Sequence, residues 1–287
     1  MTYGDGGGRR RIGGRWIIAV VIAIGAIVAY YGKTQINPVT GEKQRVNLNA
    51  DQEMALGLQA APQMAQQMGG ALDPRSDPRA GWVEEIGRRL VERTDASKSP
   101  YVGNFHFYLL KDPDTINAFA LPGGQVFITL GLYNKLSSSA ELAAVLGHEI
   151  GHVINRHAAE HMAKGDLGNQ LALAVGVGAS DERGHGAMAA AAAQMANQMV
   201  QLKFSRNDES ESDAFGLKYM SQAGFDPRAM LKVMEVLRDS SKGGRQPQML
   251  ATHPLPENRL VEIRKRIEEM YPNSIPKELS EGEALPK

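Results

Sequence analysis

Residues 140–164, AELAAVLGHEIGHVINRHAAEHMAK, decide how the rest of the chain is read, and the five residues His148, Glu149, Ile150, Gly151 and His152 carry the chemistry. On an α-helix, residues four apart share a face about 6 Å apart along the axis, so His148 and His152 can offer two imidazole nitrogens to one metal ion. Glu149 lies about 100° round from His148, which sets its carboxylate beside that metal and within reach of a water activated there. Ser138 followed by Glu141 reads as a capping box that starts the helix two turns before the motif. An HExxH pattern also arises by chance in roughly one chain per hundred of this size. Support therefore has to come from the rest of the chain.

With 287 residues and 43% hydrophobic content, the chain can bury one sizeable core, or one core and a small accessory lobe. Thirty-two acids balance thirty-two Lys and Arg, so no net field favours nucleic acid, which is not expected as a partner. There are no cysteines, which excludes disulfides, thiolate zinc ligands, a Cys nucleophile and a lipidated N-terminal Cys. Any zinc must then be held by histidine and carboxylate.

Residues 1–15 are Gly- and Arg-rich without an apolar period and are expected to be disordered. Residues 16–32 run without a charge between Trp16 and the pair Tyr30 and Tyr31, which reads as a single transmembrane anchor of roughly 25 Å. The rival readings are a cleaved signal peptide, which would leave a secreted protein, and a buried core helix. The apolar run exceeds the usual signal core of about 7–15 residues and no A-x-A site precedes Lys33, so a retained anchor is favoured. Arg9, Arg10, Arg11 and Arg15 before the run, against Lys33 after it, place the N-terminus in the cytoplasm and the catalytic body on the periplasmic or outer face of the cell membrane.

Residues 33–48 read as a linker, 49–271 as the main domain and 272–287 as a polar tail. Asn49 or Asp51 caps an amphipathic helix to about Met68, interrupted at Pro62, and Asp77 with Pro78 starts a second helix. Short strands are expected over 105–110, 116–121 and 125–129. Residues 162–204 are expected as a helical hairpin, followed by helices from about Ser205 to Gly224, from Asp226 and Pro227 onward, and over 256–270. The class is α+β, mainly α, with a small sheet ahead of the active helix.

A catalytic zinc keeps about three protein ligands and one open position, so the two histidines need a partner. Glu160 is eight residues beyond His152, about 12 Å along the axis, and His157 is about 140° round the helix. His157 and His161 are most simply surface groups or outer partners of the site. In SRNDESESDAFG, Glu209 and Asp213 share a helix face, whereas Glu211 points about 200° away from Glu209. Glu209 can bind the metal while Asp213 steadies a ligand histidine from behind; a solvated acidic face is the plain alternative.

HEIGHVINRH, SRNDESESD and THPLPENR, with NAFALPGGQVF upstream, occur in this order. Together they resemble metallopeptidase family 48, the HtpX and CaaX prenyl endopeptidase type of membrane-associated zinc metallopeptidases, and are most like its bacterial periplasmic, BepA-like branch. The resemblance covers residues 37–270. It implies a gluzincin-type zincin domain in which His148, His152 and Glu209 bind one Zn2+, Glu149 is the catalytic base, and Asp213 supports a ligand. It also implies that His253 faces the metal, either steadying the developing oxyanion or capping the metal in a latent state, and that Asn117, Ala118, Phe119 and Ala120 form an edge strand that pairs with the substrate backbone. Ser212 departs from the alanine usual at that position; both are small.

The expected function is a membrane-anchored zinc metalloendopeptidase acting on unfolded or misassembled envelope proteins. Two other classes compete with it. An envelope chaperone with a structural or vestigial zinc site would need no Glu149, and a membrane adaptor docking partners through Ala-rich helices would hold no zinc.

Overall fold

The computed structural model describes residues 14–166, 169, 202–242, 247–255 and 257–287. In chain order these form α1 (Gly14–Gly32), β1 (Thr34–Ile36), β2 (Lys43–Arg45), α2 (Ala50–Gln67), α3 (Pro78–Glu92), β3 (His106–Leu110), β4 (Ala118–Leu121), β5 (Gln125–Thr129), α4 (Leu130–Tyr133) and α5 (Ser139–Ile154). They continue with α6 (Arg206–Gln222), α7 (Ala229–Ser241), α8 (Gln248–Thr252) and α9 (Glu257–Met270). The class is mainly helical α+β.

Local sequence explains where the helices begin. Asn49 caps α2 in a complete capping box with Gln52, and Asp77 caps α3 ahead of Pro78. Ser205 starts α6 in a second complete box with Asp208. Ser138 accepts from the Glu141 backbone N–H as expected, but the Glu141 carboxylate accepts from Ser137 N rather than from the cap itself.

Every residue of α5 is buried, so the motif helix is the centre of the core and not a surface helix. Helices α3, α6 and α7 pack around it. The α5–α6 crossing is close because small residues meet there: Gly147 faces Gly216, and a Cβ on Gly151 would lie 2.9 Å from the Ser212 carbonyl oxygen. That approach brings the face of α5 carrying His148 and His152 against the face of α6 carrying Glu209 and Asp213.

The three expected strands form one sheet in the order β3-β5-β4, with β3 parallel and β4 antiparallel to β5. Strand β5 is buried throughout and β4 lies at the edge. The first strand residues of the reading, Phe105 and Ile116–Asn117, fall outside the ladder.

Several expectations are corrected. Pro62 lies inside an unbroken α2; the helix tolerates the missing N–H because packing of Ala60, Ala61 and Met64 holds it. The stretch expected as a linker carries the antiparallel β1–β2 ladder. Asn37 and Gln44 there donate to the carbonyls of Ile154 and Asn155 at the C-terminal end of α5. The expected polar tail docks as well, with Ser280 bridging Phe225, Ala284 bridging Ser138, and Leu285 buried.

Among the described residues, no helix is long and apolar enough to cross a membrane. The expected anchor over 16–32 is thus not supported: a run of that length covers about 25 Å, short of a hydrocarbon core of about 30 Å. The expected disordered stretch lies almost wholly outside the described residues, as does most of the expected hairpin over 162–204.

Candidate metal centre

The pentapeptide places His148 and His152 one turn apart on α5, and α6 brings Glu209 across from them. His148 Nε2 and His152 Nε2 are 3.0 Å apart, and the Glu209 carboxylate lies 3.4 Å from His152 Nε2 and 3.6 Å from His148 Nε2. His253, just past α8, completes the group, with Nδ1 2.9 Å from Glu209 Oε1 and 3.3 Å from His148 Nε2. All four residues are buried, and one ligand atom from each lies within 4.8 Å of the others.

This donor set fits a metal ion. Around a tetrahedral zinc with bonds of about 2.0–2.1 Å, neighbouring ligand atoms sit roughly 3.3 Å apart, the spacing seen here. Nitrogen and carboxylate oxygen without sulfur also match a chain without cysteine.

Glu149 stands beside this group with both carboxylate oxygens buried and, among the described residues, without a hydrogen-bond partner, Oε1 being 3.8 Å from His253 Nε2. Burial pushes its carboxyl above the ordinary value, against the pull of His253 and His148. A buried acid without hydrogen bonds is costly to keep, and such a group is suited to exchanging a proton with something that enters the site.

The outer partners differ for the two motif histidines. His148 Nδ1–H donates to Asp213 Oδ1 at 2.9 Å, as the spacing of Glu209 and Asp213 suggests. Burial alone would raise the Asp213 carboxyl, but Arg259 outweighs it and holds the group low. Glu209 behaves likewise: burial pushes up, while His253 and Arg259 together bring it well below its usual range.

Arg259 is the residue the sequence reading passed over. From α9 it reaches Asp213 with Nε and Nη2, both at 2.8 Å, and Nη1 makes a charge contact 2.5 Å from Glu209 Oε2. The available signal was its place in THPLPENR, six residues after His253. Nothing local said that its guanidinium turns into the core.

His157 is buried rather than on the surface, its Nδ1 2.9 Å from His152 Nδ1, whereas His161 is partly exposed and pairs with Asp208. Glu160 stays out of the metal group; its carboxylate accepts from Arg45 N. Of the expected substrate strand, Ala118, Phe119 and Ala120 lie in β4 at the sheet edge, and Asn117 precedes it with both side-chain amide atoms buried and unpartnered. Met249 N–H donates to the Ile116 carbonyl, which ties the His253 segment to the start of that edge.

The chain belongs to peptidase family M48, whose family model matches residues 77–267. Among curated proteins it is 34% identical over 247 residues to the beta-barrel assembly-enhancing protease of Yersinia pestis, covering 82% of this chain and 48% of that one. Its counterpart in Escherichia coli strain K12 is 32% identical over 268 residues, with 89% and 53% covered. The mitochondrial metalloendopeptidase OMA1 of Schizosaccharomyces pombe is 28% identical over 270 residues, with 91% and 73% covered. The chain spans about half the length of the assembly-enhancing proteases it matches.

Proposed function

We propose that the chain is a zinc-dependent metalloendopeptidase of gluzincin type, with His148, His152 and Glu209 as zinc ligands and Glu149 as the catalytic base. The observation that carries this is the unpartnered, buried Glu149 carboxylate set against a converging His–His–Glu group. Zinc bound there would supply Lewis acidity, polarising a scissile carbonyl and acidifying a water. Glu149 takes the proton of the attacking water on its carboxylate and passes it to the leaving amine nitrogen. The upward push of burial on its carboxyl suits a group that both accepts and returns that proton. Asp213, clamped by Arg259, holds His148 in the tautomer that leaves Nε2 free for the metal.

His253 is assigned to the same point over the metal, as donor to the developing oxyanion or as a fourth ligand in a latent state; its contact with Glu209 supports placement there. An extended substrate lies along residues 117–120, where main-chain hydrogen bonds at a sheet edge hold a polypeptide without demanding a sequence. That mode suits unfolded or misassembled envelope proteins, and the names of the assembly-enhancing relatives support quality control in the cell envelope. Membrane attachment on the extracytoplasmic side remains part of the proposal. Its support is the exposed apolar surface of α1, including Ile18, Val20, Val21, Ile24 and Val28.

The test is metal analysis of the full-length chain together with casein digestion, with and without a chelator and after zinc is restored. One zinc per chain and chelator-sensitive digestion are expected. Digestion that persists in metal-free protein would overturn the reading.

A further inference from the structure

The two histidines of the motif are supported in different ways. His148 leans directly on an acid, Asp213, whereas His152 Nδ1 meets no carboxylate or carbonyl among the described residues and faces the ring of His157 at 2.9 Å. His157 in turn reaches Glu211 Oε2 with Nε2 at 3.1 Å. Ser212 Oγ also lies 3.4 Å from His157 Nδ1. Phe204 stacks on the His152 ring with centroids 4.0 Å apart and planes at 29°, so stacking limits the tilt of the ring while His157 limits its rotation.

We propose that His157 is the positioning residue for His152, through a relay His152–His157–Glu211 that fixes the tautomer and orientation of a metal-binding imidazole. The proposal rests on the zinc-site reading above. Two ring nitrogens facing each other form a hydrogen bond only when one carries a proton and the other does not. His152 Nε2 points into the metal group and must present a lone pair there, so its proton is on Nδ1 and is donated to His157. His157 Nδ1 is then the acceptor, its own proton is on Nε2, and that proton faces Glu211. Every ring nitrogen has a use in this arrangement.

The fold supports the assignment. Arg156, in the left-handed region at φ 57°, follows the C-cap Asn155 of α5 and turns the chain, and His157 beyond it lies against His152. His157 is buried, whereas the Glu211 side chain is about one-third exposed. The relay thus runs from the metal group to the protein surface. His161 and Asp208 form a separate pair and do not enter it.

The readouts are zinc affinity, measured by competition with a chromogenic chelator, and the visible spectrum of the cobalt-substituted full-length chain. His157→Leu removes the acceptor and is expected to weaken zinc binding about ten- to a hundredfold, as loss of an outer partner does, and to alter the cobalt bands. His157→Asn can place an amide oxygen near the lost Nδ1 and is expected to restore most of the affinity. Glu211→Ala, at a partly exposed position that does not threaten the fold, should cause a smaller loss of the same kind. Unchanged affinity and spectrum in His157→Leu and Glu211→Ala would overturn the proposal. Equal losses in His157→Leu and His157→Asn would assign His157 to packing and overturn it as well. Neither readout involves peptide cleavage, so a chain that binds zinc tightly but digests nothing would sink the peptidase reading and leave the relay standing.

Discussion

Two guanidinium–carboxylate clusters are buried against the C-terminal half of α5. In the first, Arg156 donates to Glu53 Oε1 through Nε and Nη2, Tyr101 donates to Glu53 Oε2, and the remaining Arg156 donors reach Gln35 and the Leu48 carbonyl. In the second, Arg259 is equally buried between Asp213 and Glu209. The first cluster is closed: among the described residues, neither Glu53 nor Arg156 has a buried polar atom without a partner. The second keeps both oxygens of Glu149 and Nε2 of His253 unpartnered. Charge and burial are common to both, so they do not mark function. What sets the second apart is that its unpartnered atoms stand beside the converging ligand atoms of His148, His152, Glu209 and His253.

The largest effect is expected at Glu209. Glu209→Ala should lose zinc and all hydrolysis, measured by metal content and casein digestion; retained zinc would mean that Asp213 or His253 completes the site instead. Next is Glu149→Gln, which should keep zinc yet lower kcat about 10²- to 10⁴-fold, since an amide neither takes nor returns the proton. Near-normal turnover would show that its unpartnered oxygens have no catalytic use.

Arg156→Met tests the closed cluster. It leaves Glu53 buried without its charge partner and should cost about 3–5 kcal/mol in chemical denaturation, while folded molecules keep wild-type zinc affinity. A selective loss of zinc affinity would erase the distinction between the two clusters. Asp213→Ala should reverse the pattern, weakening zinc about ten- to a hundredfold; if it empties the site while Glu209→Ala does not, the two carboxylates have been assigned the wrong way round.

The smallest effect is expected at Asp77, which caps α3 and belongs to neither cluster. Asp77→Ala should cost about 1 kcal/mol near neutral pH. The side-chain hydrogen bond from Arg79 holds the Asp77 carboxyl down at about 2. Its contribution is therefore full above the unfolded value of about 3.9 and is lost as pH falls through about 2. Thermal melts of wild type and variant should converge over that range, and a constant gap would remove the ionised cap from the account.

Much of the candidate metal site was legible because its first part is local. Helical periodicity by itself sets His148, Glu149 and His152 on adjacent faces, and the same rule pairs Glu209 with Asp213 and turns Glu211 away from them. Three helix starts, at Asn49 or Asp51, at Asp77 and at about Ser205, were legible for a similar reason: the caps found, Asn49, Asp77 and Ser205, each act on a backbone N–H within three residues of themselves.

What the sequence by itself determined, then, is the motif helix, its partner acidic face, the three strands and the mainly helical class. The tertiary structure alone decided which groups stand behind these. Arg259 meets Asp213 across 46 positions, Glu211 meets His157 across 54, and Arg156 meets Glu53 across 103. It also turned an expected linker into a hairpin that caps α5 through Asn37 and Gln44. Periodicity and capping rules describe neighbours along one element. Contacts between distant elements depend on how closely the helices approach, and here that distance is set by Gly147, Gly151, Ser212 and Gly216, whose small size becomes informative only once it is known what packs against them.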